Sequence, residues 1–272
     1  MIRSLAICCT AAVVAAVGCR ERPAAAPPSP SPSISTLQEG FLTVACDVPN
    51  PPFAMEAAGG VEGFQADLVR EVAERLGLAP RIVDVPAFRI HTDVANGDYD
   101  AGVTVMPTTP ELEELVDFSE PYFRLTLGLV TSREERPDVA TPEDLALGDV
   151  VAVEDGTTAE AFAERSLRPA GVEIRAYPNA DAPYTAVDTG LADAVLDHQL
   201  AASKNIAAHA GLRMVHVLST GESLGVAVRP ESPALLNTIN TALLGMLADG
   251  TYAEIYGRYP ELPPEGRVTE AE

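Results

Sequence analysis

The sequence predicts an α/β protein built on two largely parallel sheets. Three observations predict it. Short apolar runs of strand length alternate with segments whose apolar residues recur at helical spacing. That alternation starts near Phe41, begins a second series after residues 125–131, and continues almost to the end of the chain. The composition is that of a folded globular chain, with 47% hydrophobic and 21% charged residues, 23 Pro and 20 Gly. This excludes wholesale disorder and a polytopic membrane protein, and 272 residues are enough for one large core or two modest ones.

Phe41 to Cys46 is a short apolar run. Val61 to Phe64 leads into a helix whose Leu68, Val69, Val72, Ala73 and Leu76 share a face before Gly77 stops it. Arg81 to Val85 reads as a strand, Ile90 to Asn96 as a short helix, and Ala101 to Met106 as a buried strand. After the strand Leu125 to Thr131 come strand Val150 to Glu154, helix Ala159 to Leu167 and strand Val172 to Tyr177. A helix near Tyr184 to Leu191, strand Ala194 to Leu196 and a helix from His198 follow, then strand Leu224 to Val228. Ser232-Pro233 opens a helix whose apolar face runs from Leu235 to Leu247 and which Gly250 ends. Thr251 and Glu254 form a capping box for a last short helix.

Charge narrows the partners. There are 18 Lys plus Arg against 40 Asp plus Glu, a formal charge of −22. Such a surface repels phosphate backbones and anionic lipid heads, so neither nucleic acid nor a membrane surface is an expected partner. Of the basic residues one alone is a lysine, Lys204, and the sequence assigns it no function.

The N-terminus reads as a signal. Arg3 precedes an uncharged stretch, Leu5 to Gly18, of secretory length and too short to span a bilayer. It ends in Ala16-Val17-Gly18-Cys19, which resembles a bacterial lipobox, with Ala16 where Leu is usual. The expectation is a signal peptide over 1–18 and lipidation of Cys19 by acyl chains such as palmitate, several of which give a stable anchor. The alternative is an ordinary signal cut after Ala24-Ala25-Ala26. Residues 19–35, mostly Pro, Ala and Ser, are expected to form a tether, and 264–272 a flexible acidic tail. Cys8 and Cys9 leave with the signal, so Cys46 is left without a disulfide partner and is read as core filler.

Several motifs lead nowhere. Gly221-Glu222-Ser223-Leu224-Gly225 matches a serine-hydrolase pattern, but a strand follows where that turn needs a helix. His91, His198, His209 and His216 lack metal-site spacing, so no metal and no cofactor are expected. Gly156-Thr157-Thr158 follows a strand and opens a helix, where free N–H groups and the helix dipole favour an anion. A plain Thr N-cap explains the same residues.

The runs Leu42-Thr43-Val44-Ala45-Cys46-Asp47, Pro51-Pro52-Phe53 and Gly63-Phe64 with Asp67-Leu68 open a longer series. It continues through Gly97-Asp98-Tyr99-Asp100-Ala101, Thr109-Pro110-Glu111, Val116-Asp117-Phe118-Ser119-Glu120-Pro121-Tyr122 and Gly156-Thr157-Thr158. Gly190, Asp193-Ala194-Val195, Asp197 and Asp249-Gly250-Thr251 complete it. In this order the series is similar to the bacterial extracellular solute-binding proteins, family 3, which serve polar amino-acid ABC importers. The resemblance implies a type II periplasmic-binding-protein-like fold, two α/β lobes joined by a hinge with a ligand cleft between them. Lobe 1 would hold 36–123 plus 224–263, and lobe 2 would hold 124–223. It implies a non-catalytic monomer outside the cytoplasmic membrane that hands a small solute to an ABC transporter permease. Some members resemble cyclohexadienyl dehydratases acting on prephenate or arogenate, which is the alternative activity.

Carried over residue by residue, the resemblance implies ligand contacts from Asp47, Asn50, Phe53, Thr108, Arg124, Glu154, Thr157, Thr158 and Asp197. The family's carboxylate-gripping Arg corresponds to Leu112, two small polar residues to Val105 and Pro107, and a stacking aromatic to Asn50. With that bidentate Arg gone and three acids at cleft positions, the expected site selects an ammonium over a carboxylate, through Asp197 above all.

Overall fold

The computed structural model describes residues 34–269. The expected signal peptide, Cys19 and the tether up to residue 33 lie outside the described residues. In chain order the elements are β1 (Phe41–Cys46), β2 (Met55–Ala57), β3 (Gly60–Glu62), α1 (Phe64–Arg75), β4 (Ala79–Asp84) and α2 (Ala87–Asn96). Next come β5 (Ala101–Val103), α3 (Pro110–Glu113), β6 (Asp117–Phe118), β7 (Phe123–Ser132), β8 (Val150–Glu154) and α4 (Thr158–Ser166). The series closes with β9 (Glu173–Tyr177), α5 (Ala182–Asp188), β10 (Ala194–His198), α6 (Gln199–Asn205), β11 (Leu212–Leu224), β12 (Ala227–Val228), α7 (Pro233–Asp249) and α8 (Thr251–Gly257).

The strands form two five-stranded sheets, in the orders β4-β1-β5-β12-β6 and β11-β7-β10-β8-β9. Both are mixed rather than largely parallel. β1 runs parallel to β4 and β5, and β8 to β9 and β10, as expected of strands joined through helices. The antiparallel members are the segments that pass between the sheets: β7 and β11 pair with each other, and β12 returns to pair with β5 and β6. The expected strand Leu224 to Val228 is therefore two strands in two sheets. Between them Gly225 passes so close to Ser119 that a Cβ would lie 3.0 Å from its carbonyl oxygen.

Strand alternation sets the layers. Leu42, Val44 and Cys46 point to the cluster that α1, α7 and α8 cover, while Ala45 points to the cluster under α2. In the second sheet Leu127, Leu129, Val151 and Val153 face α4, and Val130, Ala152 and Val195 face α5 and α6. The first core is aromatic. Phe64, fully buried, has six rings around it at 5.4–6.3 Å: Phe53, Tyr122, Phe123, Tyr252, Tyr256 and Tyr259. Cys46 is buried in the same cluster, and burial together with Asp47 and Asp84 pushes its thiol up to about 12, which keeps it protonated and inert.

Two boundaries differ from expectation. Ile34 already packs against the first core. Residues 264–269 are not a loose tail: Pro264–Gly266 form a 3-10 turn, Val268 is buried, and its N–H donates to the Tyr252 hydroxyl. Gly266 sits where a Cβ would overlap the Phe123 ring, so the segment is pressed onto β7. The acidic composition concealed two apolar contacts, Leu262 and Val268, which tie the segment down. Among the described residues no helix is long and apolar enough to cross a membrane.

Candidate functional site

The carboxyl ends of β1, β5 and β10 open onto a shared space, the usual place for a ligand in an α/β fold. A cavity of about 400 Å³ lies there. From the first sheet it takes Asn50, Pro51, Phe53 and Val105, and from the crossing strand β7 Phe123, Leu125 and Thr126. From α6 and the residue before it come His198, Gln199, Leu200, Lys204 and Asn205, and Pro263 closes one side. No carboxylate is in this lining.

The loop after β1 is held from below. The Pro52 and Phe53 carbonyls accept the first N–H groups of α1, those of Phe64 and Gln65, which the helix itself leaves without partners. Gly63, at φ +127°, permits this, because a Cβ there would lie 2.4 Å from the Phe53 oxygen. Phe53 is thereby fixed edge-on to Phe123, with ring centroids 5.1 Å apart. The Asn50 backbone bridges to Ala54, and its Nδ2 donates to Asp47 Oδ2 at 3.2 Å, so Asp47 serves the loop.

On the other wall, Gln199 is committed at both ends. Its Oε1 accepts from Thr126 Oγ1 at 2.6 Å, and its Nε2 donates to Glu265 at 2.9 Å. His198 Nε2 lies 2.9 Å from Thr158 Oγ1, while its buried Nδ1 has no partner. Lys204 reaches across the cleft, its Nζ donating to the Pro51 carbonyl at 2.8 Å.

Asp197 lies behind this wall, bonded to its Asn205 but not itself in the lining. Alternation along β10 puts Val195 and Asp197 on the α5–α6 face and His198 on the α4 face. Asp197 is buried, accepts from the Tyr184 hydroxyl at 2.7 Å and from the His198 N–H at 2.7 Å, and is not in the lining. Burial raises its pKa; the Tyr184 and His198 hydrogen bonds partly restore it. Its oxygens thus accept hydrogen bonds inside lobe 2, one partner being Asn205 of the lining.

The helix start at Thr157 is satisfied from within. Thr157 Oγ1 donates to the Glu154 carbonyl at 2.7 Å and accepts the Glu160 N–H at 3.3 Å, and Glu160 Oε2 takes the Gly156 N–H at 2.8 Å. A carboxylate of the protein therefore already occupies the electropositive end of α4. Glu154 ends β8 outside the lining, and its charge acts on the buried Tyr184 phenol. The Thr108 N–H donates to the Ser223 carbonyl at the crossing. Arg124 lines a separate hollow of about 390 Å³ beside Glu120, Glu222 and Ser223. Of the predicted site residues the cavity takes in Asn50 and Phe53; Asp47, Thr108, Arg124, Glu154, Thr157, Thr158 and Asp197 lie outside its lining. The sequence reading passed over Lys204, His198, Gln199 and Asn205. A signal for His198 was present, since it stands at the junction of a strand and a helix.

Comparison with known proteins agrees with this architecture. Residues 42–261 match the model of the bacterial extracellular solute-binding proteins, family 3. The glutamine-binding protein GlnH of a Bacillus subtilis ABC transporter is 27% identical over 212 residues, 76% of each chain. Among solved structures, an ancestral arginine-binding protein bound to arginine is 30% identical with a TM-score of 0.61, covering 81% of this chain and 98% of its own. The ancestral amino acid-binding protein AncCDT-1, a precursor of cyclohexadienyl dehydratase, is 30% identical with a TM-score of 0.60, covering 81% and 95%. In that structure the dehydratase enters through an ancestor that binds. Two α/β lobes joined at paired crossing strands, with a cavity between them, are the type II periplasmic-binding-protein fold. The chain belongs to the bacterial extracellular solute-binding proteins, family 3.

Proposed function

We propose that the protein is the receptor of an ABC importer and captures an amino acid between its lobes. The observation that carries this reading is the cavity itself. About 400 Å³ at the strand ends is at the small end of ligand pockets, which run from about 300 to 1,000 Å³, and it is lined from both lobes. The named ligands of its relatives, glutamine and arginine, are of that size class. The reading extends to a monomer, held outside the cytoplasmic membrane by lipid on Cys19, that delivers its solute to a permease. The test is thermal unfolding against each proteinogenic amino acid. A true ligand at a hundred times its Kd stabilises by about 2.7 kcal/mol; if no amino acid raises Tm, the receptor reading fails. Fractionation of an expressing bacterium tests the anchor separately. Wild type is expected with membranes and Cys19→Ala in the soluble fraction, and a soluble wild type overturns the lipid anchor.

A further inference from the structure

The polar groups of the cavity have a sign that the rest of the chain does not. The protein carries −22, yet no Asp or Glu lines the cavity and its one formal charge is Lys204. Acids behind the lining are bonded to its amides: Asp47 to Asn50, Glu265 to Gln199 and Asp197 to Asn205. Asp197 also accepts from Tyr184 and from the His198 N–H, and the α4 N-terminus is already capped by Glu160. A guanidinium or ammonium on a ligand side chain would therefore meet no carboxylate in the lining itself, beside a lysine, at a desolvation cost. The walls favour apolar matter: Phe53, Val105, Phe123, Leu125 and Leu200. A carboxylate, in contrast, meets Lys204 at the mouth, whose Nζ uses one of its three donors on the Pro51 carbonyl.

Resting on the receptor reading, we infer that this cavity selects an amino acid with an uncharged, apolar side chain and that Lys204 is the residue that recognises its carboxylate. The side chain lies against the aromatic wall of lobe 1, and the α-ammonium is left to neutral oxygens such as that of the Asn50 amide. The Lys204 contact to Pro51 makes carboxylate capture and contact between the lobes depend on the same ammonium group.

Calorimetry on the full chain with L-phenylalanine, L-leucine, L-arginine, L-phenylalaninamide and 3-phenylpropionate tests this. L-phenylalanine or L-leucine is expected to bind at least about tenfold more tightly than L-arginine, and the acid about tenfold more tightly than the amide. Lys204→Met, which keeps the apolar stem, is expected to remove the preference for acid over amide, and Lys204→Arg to restore most of it. Lys204 is exposed and belongs to neither core cluster, so these variants are expected to fold. Tightest binding by L-arginine, or an acid-to-amide ratio unchanged in Lys204→Met, overturns the inference and leaves the receptor reading standing. Lys204-dependent binding of 3-phenylpropionate with no amino acid bound overturns both the receptor reading and the inferred selectivity for an amino acid. No binding by any probe overturns both.

Discussion

The two lobes meet at one cavity but bring different chemistry to it. Lobe 1 supplies loop and strand-end residues that are apolar apart from Asn50, backed by a cluster of aromatic rings around Phe64. Lobe 2 supplies His198, Gln199, Lys204 and Asn205, backed by a largely aliphatic core beside which Asp197 is buried under Tyr184. Shape is thus fixed mainly on one side of the cleft and polarity mainly on the other. Each side is held in its own way: interlocking rings in lobe 1, and side-chain hydrogen bonds in lobe 2. Buried acids divide the same way. Asp100 in lobe 1 accepts the backbone N–H groups of Leu37 and Thr43 and ties down the segment leading into β1, whereas Asp197 accepts a side-chain hydroxyl beside the cleft.

The largest expected effect breaks the aromatic side of this comparison. Phe64→Ala removes a fully buried ring with six ring neighbours and should cost about 3–5 kcal/mol in denaturant unfolding. With no Trp in the chain, emission comes from its 7 Tyr, so this variant should also change the native spectrum. Leu129→Ala, buried in the aliphatic core of lobe 2, should cost about 2–5 kcal/mol with little change in native tyrosine emission. Equal spectral changes would mean that the two cores are not chemically distinct.

The next effect concerns the acid behind the cleft wall. Tyr184→Phe keeps the ring and removes the hydroxyl that Asp197 accepts, at an expected cost of about 1–3 kcal/mol. Burial already holds the Asp197 pKa above its ordinary 3.8, so the folded state takes up the proton more readily than the unfolded one. Stability from this group therefore falls as pH rises from the unfolded value through the folded one. Losing the hydroxyl widens that window, so the variant's deficit should be larger near neutral pH than in acid. Urea titrations at several pH values check this, and a pH-independent deficit would mean that the hydroxyl serves packing alone.

Most helices and strands were legible in the sequence, because one apolar face per element leaves a periodic trace. β11 was not, since much of it is only half-buried and its polarity is mixed. Asp197 and His198 show a finer limit. Family resemblance brought the reading to the end of β10, but neighbouring strand residues face opposite ways, and a one-residue choice decides which enters the cleft. The reading chose Asp197, whereas it is His198 that lines the cavity. Lys204 was illegible for another reason: its role depends on Pro51, some 150 residues away in sequence and across the cleft. Thr157 needed its neighbours in space as well, since Glu160 decides between a cap and an anion site.

The smallest expected effect sharpens the comparison, because each lobe carries a histidine whose titration works against the other's. His91 in lobe 1 is buried edge-on to Phe118 at 5.5 Å, and burial lowers its pKa below 6.5. The unfolded chain then binds the proton more readily, so this group's contribution grows as pH rises from the folded value to the unfolded one. His209 in lobe 2 bonds Asp188 and Asp181, which raise its pKa, the first more than the second. Its contribution is full below 6.5 and is lost as pH rises through the folded value. Both acids flanking it are accessible to water, which limits the effect to about 0.3–1 kcal/mol. His209→Gln should therefore lose stability at about pH 5.5 and little at about pH 8.5. His91→Leu should cost least, or even gain, at the acid end, where the wild type must suppress a proton. The two pH profiles, taken as differences from wild type, should slope upward for His209→Gln and downward for His91→Leu. Parallel slopes would show that the lobes do not differ in how they hold their histidines.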